Sequence, residues 1–130
     1  MSQDRERLVE IRSYRLQPGT GKTFDRLVDA VSVPMLRASG TDVVAYGPSL
    51  HDPDAYVLIR AYESAEERAV SQQAFYGSQA WKSGPREAIV SMIVHDIDVL
   101  VWLMPTAIEG LRRRTFCRSP SEQRDGIAPR

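Results

Sequence analysis

The sequence has a single cysteine, no long apolar run and no excess charge of either sign. Cys117 alone cannot form an internal disulfide, and one thiol does not supply a cysteine-cluster metal site. The longest apolar run, residues 99–104, is far shorter than the roughly 20 residues that a membrane helix needs. Seventeen basic and seventeen acidic residues cancel, which argues against binding to nucleic acid or an anionic membrane. Because the first residues also lack an apolar leader, we expect a cytoplasmic protein.

Two parts of different composition make up the 130 residues. Residues 1–103 carry most of the large apolar side chains and predict one folded domain. Residues 104–130 hold six basic against three acidic residues, with three prolines and two glycines. We expect this second part to be a basic, poorly ordered tail with one short helical turn around residues 108–113. The arginines at 112–114 have no interleaved aromatic residues, so they do not predict a nucleic-acid site.

Apolar periodicity in residues 8–103 switches between the strand and helix values. Helical spacing predicts a helix over 21–38, bent by Pro34, and the capping box that starts at Ser64 opens another, which ends near Tyr76. Short helical pieces follow around Trp81 and over 86–93. Alternating patterns predict four strands, over residues 8–16, 41–47, 56–62 and 96–103. The order β-α-β-β-α-β predicts an α+β, ferredoxin-like fold: a four-stranded antiparallel sheet with helices on one face.

The sequence Ile-Arg-x-Tyr occurs twice, on the first and third predicted strands. These strands are neighbours at the centre of a ferredoxin-like sheet, and side chains two residues apart share a face. The two copies therefore place four side chains on one face: Arg12, Tyr14, Arg60 and Tyr62.

Both faces of the predicted sheet carry apolar side chains, for example Ile11 on one and Leu8 on the other. A monomer would expose one of these faces to water, which soluble proteins rarely tolerate. We therefore expect a homodimer in which two sheets pack face to face.

Several motifs in the order found here resemble those of the NIPSNAP domain. They are Glu10-Ile11-Arg12-x-Tyr14-x-Leu16-x-Pro18-Gly19, Pro34…Gly40, Asp52-Pro53, Arg60-Ala61-Tyr62…Glu67-Arg68 and Phe75-Tyr76-Gly77…Trp81. The resemblance covers about residues 8–103 and implies the dimeric α+β barrel superfamily. That superfamily includes cofactor-free monooxygenases, isomerases and cyclising or decarboxylating enzymes, as well as haem-using enzymes. Most NIPSNAP members lack a defined reaction, so the resemblance implies a fold and leaves the chemistry open.

One segment imitates the phosphate-binding loop of nucleotide-hydrolysing enzymes. Residues 18–23, Pro-Gly-Thr-Gly-Lys-Thr, lie between a strand and a helix, but Leu16 stands where the pattern needs its first glycine. Leu16 does not readily adopt the turn that lets backbone amides cradle a phosphate. We expect Gly19 and Gly21 to make a tight turn, and a P-loop-like nucleotide binder is kept only as a further alternative.

The remaining polar and aromatic residues suggest a small-molecule site. Arginine beside tyrosine in a partly apolar cavity can hold a carboxylate or enolate, with the phenol as hydrogen-bond donor. The candidates are His95, Tyr14 and Tyr62 as catalytic groups, and Arg12, Arg60, Glu10, Tyr46, Tyr76 and Trp81 as substrate-binding groups. His51 and His95 have no third ligand at metal-binding spacing, and we expect neither a metal nor a cofactor.

These residues leave two main interpretations open. In the first, the protein is a cofactor-independent enzyme of monooxygenase, isomerase or cyclase type, with His95 as base and an aromatic or acidic substrate. In the second, it is a non-catalytic homodimeric binding or scaffold protein. Glu10 and the arginines then form an ion-pair ladder between the sheets of the dimer, Trp81 belongs to the core and His95 is a surface histidine.

Overall fold

The computed structural model describes residues 5–114, which form a four-stranded antiparallel sheet in the order β2-β3-β1-β4. The strands are β1 (Arg7–Leu16), β2 (Asp42–Pro48), β3 (Ala55–Tyr62) and β4 (Ile93–Leu103). The helices are α1 (Gly21–Leu27), α2 (Val33–Ala38), α3 (Ala65–Tyr76), α4 (Gln79–Ser83), α5 (Arg86–Ser91) and α6 (Pro105–Arg114). The predicted β-α-β-β-α-β order and the ferredoxin-like class are confirmed.

Strand β1 lies between β3 and β4 and runs antiparallel to both. Glu10 pairs with Arg60 across to β3, so the even-numbered residues of these two strands share one face, as the alternation predicts. The antiparallel direction nevertheless separates the two tyrosines of the repeated motif. Tyr14 pairs with Tyr56, whereas Tyr62 pairs with Leu8, which is about 20 Å further along the sheet.

Helices α1 to α5 cover the face that carries Glu10 and Arg60. The main core on this face joins β1 and β3 to these helices through aromatic and branched side chains: Tyr14, Leu16, Phe24, Leu36, Tyr56, Leu58, Phe75 and Trp81. Burying each of the larger side chains stabilises the fold by about 1.5–3 kcal/mol. This core fixes the distance between the sheet and the helical layer, where the site lies.

A π-helical turn, Val28–Ser32, joins α1 to α2 directly before Pro34. Proline has no N–H, and its ring would collide with the carbonyl oxygen four residues earlier, so the backbone widens there. The extra residue rotates the helix about its axis. As a result Ser32 and Val33 are buried, whereas Val31 is only half-buried.

Helix α6 packs on the other face of the sheet. Ile108 is fully buried against Val9 and Ile59, and Arg112 binds the carboxylate of Asp42 at 2.9 Å. The sequence predicts only a helical turn in a poorly ordered tail, and the structure has a ten-residue helix held by these contacts. Residues 115–130, which include Cys117, lie outside the described residues.

The second face of the sheet is therefore partly covered. Helix α6 lies over β1, β2 and β3, whereas Ile97 and Val99 of β4 stay about half exposed. The expected homodimer stays a prediction, and a whole-face contact between two sheets would have to displace α6. None of the described helices has the length and apolar content to cross a membrane.

The turn before α1 yields a first prediction. A Cβ on Gly21 would lie 1.8 Å from the carbonyl oxygen of Pro53, whereas one on Gly110 in α6 would meet no atom within 4 Å. We expect Gly21→Ala to lower the free energy of unfolding by about 2 kcal/mol or more. Gly110→Ala should leave it unchanged or raise it by up to about 1 kcal/mol, because alanine favours helices. Urea denaturation of both variants checks this, and equal midpoints would contradict the close contact.

Candidate functional site

Glu10 is the centre of the polar interior between the sheet and α3. Its side chain is fully buried, and one carboxylate oxygen accepts a hydrogen bond from Arg60 Nε at 2.7 Å. The other oxygen accepts from Arg68 Nη2 at 2.7 Å and from Gln72 Nε2 at 3.0 Å. Arg68 and Gln72 are four residues apart, which places both on the face of α3 that meets the sheet.

These partners keep Glu10 ionised although it is buried. Burial by itself raises the pKa of a carboxyl group, but Arg60, the hydrogen bonds from Gln72 and Arg68, and the charge of Arg12 together outweigh it. The pKa of Glu10 therefore lies below its ordinary value. Removing one partner of such a pair is costly, since the other charge is left buried alone.

A second carboxylate, Asp98 of β4, extends the cluster towards solvent. Arg12 donates to both of its oxygens, from Nε at 2.6 Å and Nη2 at 2.9 Å, and Arg68 lies 3.3 Å away. The hydrogen bond from Arg12 lowers the pKa of Asp98. We call Glu10, Arg12, Arg60, Arg68 and Asp98 the arginine network; its three cations and two anions leave one positive charge in excess.

Three tyrosine hydroxyls surround this network. Arg60 Nη1 donates to Tyr76 Oη at 2.8 Å, and Gln72 Nε2 donates to Tyr62 Oη at 3.1 Å. Burial raises the pKa of Tyr14 and of Tyr62, although nearby arginines oppose the shift. The phenols of Tyr14 and Tyr62 are therefore neutral at physiological pH and available as hydrogen-bond donors.

A small cavity of about 30 Å³ lies beside the network, between the sheet and the helices. The cavity wall includes Tyr14, Tyr76 and Trp81. Apart from the tyrosines, the main polar side chain in the wall is that of Ser32. Ser32 is buried, and its Oγ has no hydrogen-bond partner within the described part of the chain. Buried hydroxyls are normally hydrogen-bonded, and π-helical turns occur often at functional sites.

Most of the predicted site residues are brought together, but in two groups. Glu10, Arg12 and Arg60 belong to the arginine network. Tyr14, Tyr76 and Trp81 line the cavity, with Tyr76 linking the two groups through its bond to Arg60.

The other three predicted residues lie outside the cavity wall. Tyr62 borders the arginine network through Gln72, at the far end of the sheet from Tyr14, and Tyr46 donates to Asp29 at 2.5 Å. His95 pairs with Arg15 and therefore lies on the face of the sheet opposite Tyr14. Strand alternation places it there, so His95 does not reach this site as a base.

The expected ion-pair ladder between the sheets of a dimer is also not the role of these arginines. Arg60 is fully buried and pairs with Glu10 of its own chain, on the face that α3 covers. The sheet of a partner would meet the opposite face. The ion pairs therefore hold α3 to its own sheet.

The sequence analysis did not select Arg68, Gln72, Ser32 or Asp98 as candidates. One signal was available in the sequence: the only large apolar residues of α3 are Val70, Phe75 and Tyr76, so the helix needs polar partners on the sheet. Ser32 had no such signal, because the π-helical turn changes which residues of the helix face inward.

The segment that imitates a phosphate loop holds a carboxylate of its own chain. Asp54 accepts hydrogen bonds from the backbone N–H groups of Gly19 at 2.9 Å and Gly21 at 3.0 Å. A phosphate could reach these N–H groups only by displacing the carboxylate of Asp54, whose negative charge repels it. The groove beside Lys22, of about 340 Å³, contains none of the network residues, and the interpretation of Gly19 and Gly21 as turn residues is supported.

Solved structures with this fold are known. A NIPSNAP-like domain protein from Burkholderia xenovorans, described as uncharacterized, matches with a TM-score of 0.69 and 21% identity, over 76% of this chain and 86% of that one. A NIPSNAP family protein of unknown function from Agrobacterium tumefaciens matches with a TM-score of 0.70 and 22% identity, over 77% and 90%. A putative antibiotic biosynthesis monooxygenase from Nitrosomonas europaea matches with a TM-score of 0.55 and 19% identity, over 72% and 95%.

The resemblance to the NIPSNAP domain is thereby confirmed at the level of the fold. No protein-family model matches the sequence, and no curated protein does. Within the described residues, no group of three histidine, cysteine, aspartate or glutamate side chains could hold a metal ion.

The buried carboxylate yields a second prediction. Glu10→Gln removes the charge that balances Arg60 and should lower the free energy of unfolding by about 3 kcal/mol at pH 7. Because the pKa of Glu10 is lowered by folding, its contribution is complete above the unfolded-state pKa of roughly 4.3 and is lost as pH falls through the folded-state pKa. The difference between variant and wild type should therefore shrink in acid.

Urea denaturation from pH 7 to pH 3 measures this difference. Glu66→Gln, at an exposed position of α3, is the matched control and should change stability by no more than about 0.5 kcal/mol. A Glu10→Gln protein as stable as wild type at pH 7 would show that the network does not hold the fold.

Proposed function

We propose that the protein binds a small aromatic or acidic organic molecule in the cavity between the sheet and the helices. The observation that carries this proposal is Ser32, whose buried hydroxyl faces an aromatic cavity without a hydrogen-bond partner. Leaving such a group unpaired costs about 1–3 kcal/mol. A ligand that hydrogen-bonds to Ser32 Oγ would recover that cost, and the aromatic wall would hold its ring.

The arginine network supports an acidic group on the ligand. Its one excess positive charge lies next to the cavity, because Arg60 binds Tyr76 and Tyr76 is part of the wall. Arg12 is the member nearest to Tyr14 in sequence and keeps 17% of its side chain exposed. A carboxylate or phenolate at this point would balance the excess charge.

The cavity must enlarge to admit such a molecule. About 30 Å³ holds little more than a water molecule, whereas a cavity of roughly 150 Å³ is needed for benzene. The wall includes Ser32 of the π-helical turn, Trp81 of the five-residue helix α4 and Ile89 of the six-residue helix α5. Short helices and a widened turn have few internal hydrogen bonds, so this side of the cavity is the one that opens.

In its enzymatic form the site works without a metal or a dissociable cofactor. Arg12 holds the anionic group, and the neutral phenol of Tyr14 donates a hydrogen bond to charge that develops on the substrate. Because His95 lies on the opposite face of the sheet and does not act as a base here, the acidic or electron-rich group that reacts belongs to the substrate itself. Of the proposed monooxygenase, isomerase and cyclase classes, the fold shared with a putative antibiotic biosynthesis monooxygenase supports the first.

A non-catalytic binding or scaffold protein is the second candidate. It is favoured by two observations: every arginine of the network has a carboxylate partner in its own chain, and the cavity is small. In either form we propose a cytoplasmic homodimer that binds neither nucleic acid nor membrane, and the apolar surface around β4 supports the dimer.

Substitution of Ser32 separates these candidates. Ser32→Val removes the unpaired hydroxyl and fills part of the cavity, so the variant should melt several degrees higher than wild type. If the cavity is a ligand site, the same change should weaken binding of the probe 4-hydroxybenzoate by about 10-fold or more. Calorimetric titration and thermal melting measure both effects.

The control is Ser91→Ala, whose hydroxyl lies at an exposed position of α5. It should change neither the melting temperature nor the affinity. If the Ser32→Val protein is more stable but binds the probe as tightly as wild type, the cavity is not the ligand site. A wild-type protein that does not bind the probe saturably would favour the scaffold.

A further inference from the structure

Two tyrosines of the cavity wall, Tyr14 of β1 and Tyr76 at the end of α3, have an arginine at their hydroxyl. Arg60 Nη1 donates to Tyr76 Oη at 2.8 Å. Burial and the nearby Tyr76 raise the pKa of Tyr14, whereas Arg12 opposes them through its charge and a side-chain hydrogen bond. A guanidinium group can only donate, so each phenol oxygen is the acceptor. Within residues 5–114 these two hydroxyls have no other hydrogen bond, and the hydrogen of each phenol is left to donate to a ligand.

Other tyrosines of the protein are bonded in the opposite sense. Tyr56, in the same cavity wall, donates its hydrogen to Asp25 at 2.6 Å. Tyr46, outside the wall, donates to Asp29. An aspartate partner takes the hydrogen of a phenol, whereas an arginine partner leaves it. The partners therefore determine which of these tyrosines can serve as donors.

Aromatic contacts hold the rings of the two donors in place. The Tyr76 ring packs edge-on against Phe75 and Trp81, with centroids 5.0 Å and 5.3 Å apart. The Tyr14 ring lies 5.3 Å from that of Phe24. Both tyrosines line a cavity of about 30 Å³, which is roughly the volume of one water molecule. A group of the size of one oxygen atom that occupies this space contacts both side chains.

We propose that Tyr14 and Tyr76 are the two hydrogen-bond donors of an oxyanion site, which takes the single ionised oxygen of a phenolate or an enolate. The inference rests on the proposed function and specifies which anionic group of the ligand enters the cavity. Two O–H donors directed at one oxygen stabilise the negative charge on that atom. Tyr76 is then a second donor beside Tyr14, and the ligand is one that ionises at a hydroxyl or carbonyl oxygen.

The arginines favour such an oxygen over a carboxylate. A carboxylate is best recognised by two parallel N–H groups of one guanidinium. In Arg12 the Nε and Nη2 groups already bind Asp98, and in Arg60 the Nε group binds Glu10. These arginines contribute their charge through the phenols, because a hydroxyl whose oxygen accepts from a cation is a stronger donor.

The charges around the cavity also favour the ionised ligand. The charged groups that contact the network or the wall are Arg12, Arg60, Glu10 and Asp98 of the sheet, Arg68 of α3 and Asp25 of α1. The two sheet carboxylates are bound by the three arginines, which leave one positive charge in excess. Asp25 accepts from Tyr56 and has no bond to either donor.

Absorbance titration with 4-nitrophenol tests the site, because its phenolate absorbs visible light and its phenol does not. We expect wild type to bind the phenolate about 100-fold more tightly than the phenol, so that the pKa of the bound probe lies about two units below that of the free probe. Tyr14→Phe and Tyr76→Phe keep the ring but remove one donor. Each should reduce the preference for the phenolate by about 10-fold.

The control is Tyr46→Phe, the same exchange at a tyrosine outside the cavity wall. It should leave the pKa of the bound probe unchanged. If the lowered pKa persists in both Tyr14→Phe and Tyr76→Phe, another group holds the anion and the inference is wrong.

Arg60 is a positioning residue for Tyr76, and Arg60→Lys tests that role. An ammonium group lacks the planar fork that reaches Glu10 and Tyr76 together. We expect this variant to lose the same preference for the phenolate as Tyr76→Phe, with no further loss when the two changes are combined. A purely structural role would lower the melting temperature and leave the pKa of the bound probe unchanged. If Arg60→Lys does not fold, wild type and the two phenylalanine variants still decide the proposal.

The outcomes separate this inference from the proposed function. If 4-nitrophenol binds saturably with the pKa of the free probe, the oxyanion site is wrong and the proposed function stands. Binding of 4-hydroxybenzoate without binding of 4-nitrophenol leads to the same conclusion. A protein that binds neither molecule overturns both.

Discussion

The helix side of this protein depends on the buried ion pair between Glu10 and Arg60. Two charges at the centre of a sheet cost several kcal/mol each unless they are paired and hydrogen-bonded. Arg68 and Gln72 of α3 supply the remaining hydrogen bonds to Glu10. This requirement explains why α3 presents polar side chains to the sheet, where an ordinary amphipathic helix would present apolar ones.

The same pairing limits what the arginines can offer a ligand to the one excess positive charge beside the cavity. The three arginines already bind carboxylates of their own chain: Arg12, Arg60 and Arg68. A ligand therefore gains most of its binding free energy beside them, where the aromatic wall meets Ser32. The position of Ser32 follows from Pro34, whose missing N–H and ring favour the widened turn. The orientation of one buried hydroxyl thus depends on a proline two residues later.

Much of the fold was predictable from local patterns, and the site less so. Alternation and capping located the four strands and α3, and alternation placed Arg12, Tyr14, Arg60 and Tyr62 on one face. It did not show that antiparallel pairing separates Tyr14 from Tyr62, since a repeated motif in two antiparallel strands aligns at only one position, here Ile11 with Ile59. The chemistry of His95 suggested a catalytic base, but its pairing with Arg15 places it on the face of the sheet opposite Tyr14.

Tertiary contacts determine the parts that the sequence analysis missed. Helix α6 has only a few apolar residues, and it is held because Ile108 fills a gap on the sheet and Arg112 reaches Asp42. Likewise, the residue types of Arg68 and Gln72 predict surface positions, and only the position of Glu10 beneath them reveals their role. Their role becomes visible only when the register of β1 and the position of α3 are known together.

Chemical-shift mapping during a titration with 4-hydroxybenzoate tests the central claim most directly. The account predicts that the largest amide shifts lie in the π-helical turn around Ser32 and beside Tyr14, Tyr76 and Trp81, with saturation at a single site. Saturable shifts confined to the groove beside Lys22 and Leu50, or shifts of the Ser32 region that never saturate, would contradict it.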